Sequence, residues 1–284
     1  MKPATNPLAE LTAALTAVYE TREAQNIAQF VLEDGLQLTQ KQLRTMLLSE
    51  AQQQKLAQMT IELLHKKPWQ YVVGEADFYG YKFEVTPDTL IPRVETEELV
   101  QWIIQENRLP QAKILDIGTG SGCIAISLQK NMPQTTIRGI DVSETALAIA
   151  TKNNQKQATK VMFSLLDIRD ESKWEGLPAF DIVVSNPPYI PPSEKKLMPD
   201  HVLEYEPELA LFVAEEDPLV FYRTIANFAA KNLADKGWLY FEINEHFGAE
   251  VLELLATDQA YTKASLAEDF LGKPRMVRAQ KTSK

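Results

Sequence analysis

A parallel α/β sheet of Rossmann-like type, with a small N-terminal helical bundle joined to it by a β-hairpin, is the fold that three features of this 284-residue chain predict. The first is a short apolar strand, Lys113 to Ile117, that runs into Gly118-Thr119-Gly120-Ser121-Gly122 and then into helical spacing from Cys123 to Lys130. The second is a series of further apolar runs, each closed by a polar or proline-rich breaker. The third is an N-terminal region whose apolar residues recur at spacings of three and four, with no Gly-Pro punctuation inside its helices.

Residues 1–72 are predicted as the N-terminal helical domain. Leu8, Leu11, Leu15 and Val18 share one face of a first helix. A second helix runs from Thr21 to Gly35, and Thr39–Glu50 and Ala51–Lys66 give two more. Thr39 caps the third, with Gln42 as its back-bonding partner. This domain has no catalytic constellation, so it either stabilises the fold or grips a macromolecular substrate.

Residues 73–90 are predicted as a hairpin linker, because Phe78 to Val85 is rich in strand formers around Gly80. The main domain is then 91–284. Pro92 stiffens its start, and Thr96 opens a helix to Ile104. Arg93 and Glu95 stand between apolar neighbours, either as a structural salt bridge or as part of a site's mouth.

The glycine loop lets backbone approach a ligand closely. A dinucleotide fingerprint would need its third glycine at the position of Cys123, so the spacing argues against a nicotinamide cofactor. Asp116, just before the loop, suits a positively charged cofactor better than a pyrophosphate. The strand Thr136 to Ile140 ends in Asp141, placed to accept hydrogen bonds from ribose hydroxyls. The run Val161 to Leu166 ends in Asp167-Ile168, a wall for an adenine ring. The strand from Phe180 ends in Asn186-Pro187-Pro188-Tyr189. Asn186 and Pro187 offer carbonyl acceptors, and Tyr189 offers a ring face to a flat amide or base. Alone, that tetrapeptide could equally be a rigid turn. In this order on four successive strands, the features predict an S-adenosylmethionine-dependent methyltransferase acting on a planar NH2 group.

Composition narrows the field. Hydrophobic residues make up 45% of the chain, enough for a sizeable core. No apolar run is long enough to span a bilayer, and Met1 to Glu10 lacks a secretory pattern, so a cytoplasmic protein without membrane association is expected. A single cysteine excludes an internal disulfide, and Cys123 reads as a packing residue. Three scattered histidines give no metal-ligand spacing. A net charge of −10 disfavours a nucleic-acid partner. No large exposed apolar face is evident, so a monomer is expected.

Longer motifs carry a family resemblance from Pro68 onward. They are Gln70-Tyr71-x-x-Gly74, Phe83-x-Val85, Leu90-Ile91-Pro92-Arg93-x-Glu95-Thr96-Glu97, the Asp116 to Gly122 loop and Asn186-Pro187-Pro188-Tyr189-Ile190. To these are added His201-Val202-x-x-Tyr205-Glu206-Pro207-x-x-Ala210-Leu211, Phe221-Tyr222-Arg223 and Asp269-x-x-Gly272-x-x-Arg275. The chain resembles the release-factor glutamine N5-methyltransferases. One departure is Asn244 after Glu242-Ile243, where the family pattern has glycine. Asparagine also tolerates a left-handed backbone.

The resemblance implies methylation of the glutamine of the Gly-Gly-Gln motif in class 1 peptide-chain release factors, which are then the protein partner. It implies that Asn186 and Pro187 orient the amide, with Pro188 in the same loop and Tyr189 stacked on the amide plane. Leu90 and Pro92 would line the methyl-donor side, with Arg93 and Glu95 at the mouth. Ile117 to Gly122 would hold the methionine portion and Asp141 the ribose. The same tetrapeptide occurs in nucleic-acid amino-methyltransferases acting on adenine or guanine, which leaves that class as the alternative. His201 is expected to pack or cap rather than act as a base. Glu204, Glu206 and Glu208 are expected to be solvated, or else to meet a basic partner.

Overall fold

A computed structural model describes residues 6–45 and 47–283 of the chain. The first five residues of the predicted helical domain and of the Met1–Glu10 segment, together with Met46 and Lys284, lie outside the described residues. Two compact units are formed. One takes the chain up to Glu75 together with Val85–Pro87 and Pro199–Tyr205, and the other takes the rest.

In the first unit, helix α1 spans Pro7–Leu15, with Asn6 capping Ala9 N–H at 3.1 Å and Leu8, Leu11 and Leu15 buried. Helix α2, Thr21–Phe30, runs on into a widened π turn over Val31–Gly35. The third predicted helix is cut short: α3 is Gln42–Thr45 and α4 is Glu50–Leu64. The break has a local cause. Ser49 and Gln52 form a reciprocal capping box that starts a new helix at Glu50. Thr39 N–H does donate to Gln42 Oε1, at 2.8 Å. Helix α5, Trp69–Val73, sets Trp69 in a stack on Phe30 with ring centroids 4.7 Å apart.

The chain then forms the predicted hairpin, β1 Glu75–Phe78 and β2 Tyr81–Glu84, which from Ala76 on belongs to the second unit. Tyr79 and Gly80 both have positive φ, the primed turn that matches strand twist. Helix α6, Val94–Glu106, starts two residues before Thr96 and leaves that hydroxyl in its buried first turn. There follow β3 Lys113–Ile117, α7 Cys123–Asn131, β4 Thr136–Asp141, α8 Glu144–Lys156, β5 Met162–Leu165 and β6 Phe180–Ser185. After α9, Asp200–Tyr205, which belongs to the first unit, come α10 Glu208–Leu211, α11 Val220–Asn232, β7 Leu233–Glu242, α12 Gly248–Thr257, β8 Tyr261–Glu268 and β9 Pro274–Lys281.

The seven-stranded sheet has the order β5-β4-β3-β6-β7-β9-β8. The first five strands pair in parallel, and β9 is antiparallel to both β7 and β8. Its central strands are mostly apolar because both faces are covered. Ile114, Ile182 and Val184 pack with α6, α7 and the hairpin phenylalanines. Their neighbours Leu115, Ile117 and Val183 face the other way, onto α11 and α12. The strand order reverses between β3 and β6, so the two loops leaving those strands diverge there and open a crevice at their carboxyl ends.

Candidate active site

That crevice brings together the glycine loop and the Asn-Pro-Pro-Tyr loop. Ile117 pairs with Ser185 across the strands, and Ser185 Oγ donates to Ile117 O at 2.7 Å. The next residues on each strand are Gly118 and Asn186. A β-carbon on Gly118 would lie 3.9 Å from the Asn186 carbonyl oxygen. The glycine loop is tied to β4 by Gly118 and Thr119 N–H on Ile140 O, at 2.9 and 3.0 Å. Gly118, Gly120 and Gly122 all have positive φ, but their surroundings differ. A β-carbon at Gly120 would meet nothing within 4 Å, whereas one at Gly122 would press on Ile126, Phe163 and Ala150 at 3.0–3.2 Å. Gly120 therefore keeps space open over the loop, while Gly122 lets the start of α7 pack closely. Ser121 and Thr119 are buried.

Two carboxylates lie with this loop. Asp116 is fully buried and accepts from Thr119 Oγ1 at 2.7 Å. Burial pushes its carboxyl up to about 7, against the pull of its Thr119 and Ala125 hydrogen bonds. Asp141, at the end of β4, accepts from Gly120 N–H at 2.9 Å through Oδ2 and from Ser143 N–H at 3.0 Å through Oδ1. Burial raises it as well, with those amide bonds opposing. Neither carboxylate is paired with a cation among the described residues. Two acids under an open glycine loop suit a cationic cofactor with ribose hydroxyls and would repel a pyrophosphate. The residues present thus fit S-adenosylmethionine.

The predicted adenine wall is divided. Asp167 is forked by its neighbour Arg169, with Nε on Oδ1 at 3.1 Å and Nη2 on Oδ2 at 3.0 Å, which holds its carboxyl below the usual range. Ile168 turns into the core, 6% exposed. Cys123 is half-buried, and burial pushes its thiol up to about 12, as a packing residue requires.

On the other side of the crevice, Asn186 is half-buried and Pro187 buried. Asn186 Nδ2 donates to Thr96 Oγ1 at 3.3 Å. Tyr189 is held at its hydroxyl, which donates to Glu242 Oε1 at 3.2 Å. Burial and the neighbouring Glu242 both push that phenol up, so it stays a neutral donor. Leu90, Pro92 and Glu95 are half-buried. Arg93 is engaged structurally: its guanidinium is 2.5 Å from Glu206 Oε1, and Ile91 N–H donates to Glu206 Oε2 at 3.1 Å. Glu206, expected to be solvated, is instead 5% exposed, because it holds the backbone before α6. Its neighbours Glu204 and Glu208 are exposed. Asn244 is not left-handed. It is extended at φ −64°, because its Oδ1 caps His246 N–H and its Nδ2 reaches Glu194 and the Tyr189 carbonyl. Sequence reasoning passed over Glu242 and gave Thr96 only a helix-start role. Both carry polar atoms on buried side chains, and an acid closing the otherwise apolar run Trp238 to Phe241 was the available signal.

This fold and this crevice define a methyltransferase. Residues 95–202 match the family described as Methyltransferase small domain. A methyltransferase from Pyrococcus furiosus shares the fold, with a TM-score of 0.51 and 14% identity over 83% of this chain and 100% of that one. The chain belongs to the release factor glutamine methyltransferases. It is 43% identical to the one from Flavobacterium psychrophilum over 93% of this chain and 94% of that protein. It is 41% identical to the one from Bacteroides thetaiotaomicron, over 94% and 96% of the two chains. No helix among the described residues is long and apolar enough to cross a membrane.

Proposed function

We propose that the protein transfers a methyl group from S-adenosylmethionine to the side-chain amide nitrogen of the glutamine in the Gly-Gly-Gln motif of class 1 peptide-chain release factors, acting as a cytoplasmic monomer. The observation that carries the chemistry is the acceptor pair of Asn186 Oδ1 and the Pro187 carbonyl. Neither accepts a hydrogen bond from the described residues, and they follow Ser185, which pairs with Ile117 at the start of the open glycine loop. The choice of substrate follows the names of the relatives. The net charge of −10 supports a protein rather than a nucleic-acid substrate.

An amide nitrogen is a weak nucleophile because its lone pair is delocalised. Asn186 Oδ1 and the Pro187 carbonyl take its two N–H bonds and fix its plane, and the Tyr189 ring covers that plane. When bound, S-adenosylmethionine supplies a methyl group made electrophilic by the sulfonium. As the N–C bond forms and the S–C bond breaks, positive charge develops on nitrogen and both acceptor bonds strengthen, so they lower the barrier rather than merely bind. The surplus N–H proton then leaves to water. Asp116, the Ile117 to Gly122 loop and Asp141 hold the cofactor, with Asp167 at the adenine side and the Ile168 side chain packed into the core. Leu90, Pro92, Arg93 and Glu95 shape the mouth through which the substrate loop reaches Pro188 and Tyr189. We assign the N-terminal helical domain to grip of the release factor.

The test is to incubate the protein with labelled S-adenosylmethionine and a purified release factor, and to map the product by mass spectrometry. One methyl on the Gly-Gly-Gln glutamine is expected. Asn186→Ala should cut kcat by about a hundredfold or more while cofactor affinity holds. Label entering duplex DNA or ribosomal RNA, with none in the factor, would overturn the reading.

A further inference from the structure

The acceptor pair works only while Asn186 keeps one of its two amide orientations. A half turn of that amide exchanges its oxygen for an NH2 group and would aim donor against donor. We propose that Glu242 and Thr96 are positioning residues that lock Asn186 and Tyr189 in the acceptor-presenting arrangement, an inference that rests on the amide-methylation reading.

Glu242 ends β7 and is 2% exposed. Its Oε2 lies 2.5 Å from Thr96 Oγ1, in the first turn of α6. Its Oε1 takes the Tyr189 hydroxyl at 3.2 Å. Burial pushes its carboxyl up, while the two donors aimed at its two oxygens and the neighbouring Arg275 guanidinium favour the carboxylate. A carboxylate has no proton to give, so the Thr96 hydroxyl must donate to it. That uses the only proton Thr96 has. Towards any third group its oxygen can only accept, and the third group is Asn186 Nδ2 at 3.3 Å. An amide oxygen in that place would face a lone pair. The chain of donors therefore runs Asn186 to Thr96 to Glu242, and it fixes Asn186 Oδ1 on the opposite side, where the substrate amide needs an acceptor.

The same carboxylate holds the Tyr189 ring by its far end, while Asn244 Nδ2 holds the Tyr189 carbonyl at 3.4 Å. One buried acid thus sets two of the side chains that meet the amide, without touching it. Because the bonds that Asn186 makes strengthen during transfer, loosening the lock should appear in kcat rather than in binding.

Steady-state kinetics with a purified release factor tests this on three variants. Thr96→Val keeps the shape and removes the hydroxyl. It should lower kcat by about tenfold to a hundredfold, with KM for the factor and Kd for S-adenosylmethionine within about threefold. Thr96→Ser restores the hydroxyl and should return kcat to within about threefold of the parent. Glu242→Gln should lower kcat as Thr96→Val does, since its amide oxygen and NH2 group cannot both accept from the two hydroxyls. If Glu242→Gln does not fold, the Thr96 pair decides alone. The lock is overturned if Thr96→Val stays within about twofold of the parent kcat, if the loss falls on KM or Kd instead, or if Thr96→Ser is as impaired as Thr96→Val. No transfer by the unaltered protein in the same assay would count against amide methylation itself. Normal turnover with indifferent variants would count against the lock only.

Discussion

The two glycines that differ in their surroundings should fail in different ways when a single methyl group is added. Gly120 has φ +53° and open space where a β-carbon would project. Alanine there meets only the left-handed backbone cost, about 1 kcal/mol. Gly122 has φ +81°, and its β-carbon would stand 3.0 Å from Ile126 Cδ1, 3.1 Å from Phe163 Cζ and 3.2 Å from Ala150 Cβ. Carbon atoms in good contact are about 3.5–4.0 Å apart, so all three neighbours must give way. Ile126 and Phe163 can shift, but Ala150 has no torsion to turn, so α8 itself must move. Overpacking of this kind costs about 1–3 kcal/mol beyond the backbone term, for a total of about 2–4 kcal/mol. Urea unfolding followed by tryptophan fluorescence measures both costs, and titration calorimetry with S-adenosylmethionine at a temperature where both variants are folded measures affinity. Gly120→Ala should lose about tenfold or more in cofactor affinity at little cost in stability, because its new methyl group enters the space kept open for the ligand. Gly122→Ala should show the larger fall in stability and the smaller fall in affinity. The reverse order would refute the division of this loop into a ligand-facing residue and a packing residue.

Two further outcomes are expected. Burial raises the Asp116 carboxyl from 3.8 to about 7, so its contribution to stability is complete below the unfolded value and is lost as pH climbs through about 7. Asp116→Asn should flatten that part of a pH series of unfolding free energies, and a slope unchanged between about pH 5 and about pH 8 would contradict this. Glu206→Gln should destabilise by about 1–2 kcal/mol, moderated by the one-third exposure of Arg93, whereas Glu204→Gln should stay within about 0.5 kcal/mol, both read from denaturant midpoints.

What the sequence showed well was whatever depends on neighbours in the chain. A strand ending in glycines, a strand ending in an acid and a strand ending in Asn-Pro-Pro-Tyr are each local events, and the structure sets them at the ends of β3, β4 and β6. The break before α4 was local too: Ser49 and Gln52 were readable as a capping box, yet the prediction ran its third helix on to Glu50 and began the next at Ala51. What could not be read were polar groups whose meaning lies in a distant partner. Glu206 stands in a row of alternating acids that reads as solvated, and only Ile91 and Arg93, more than a hundred positions away, make it a buried clamp. Asn244 replaces a family glycine, but it does so by capping and cross-linking rather than by adopting a glycine's backbone.

The same contrast bears on how the site works. Topology alone puts a cofactor loop beside a substrate loop, because parallel strands on either side of a reversal must send their loops apart. It does not set which atom of Asn186 faces the crevice. Backbone geometry is indifferent to an amide flip, and so is packing, since oxygen and NH2 are nearly the same size. Only a hydrogen-bond chain with a fixed direction can choose between them, and such a chain needs an end that cannot donate. A buried carboxylate meets that need, and its desolvation, which raises the carboxyl, is opposed by two hydroxyl bonds and the neighbouring Arg275. On this reasoning a charge beneath the catalytic loop, although costly for the fold, gives the acceptor pair its polarity.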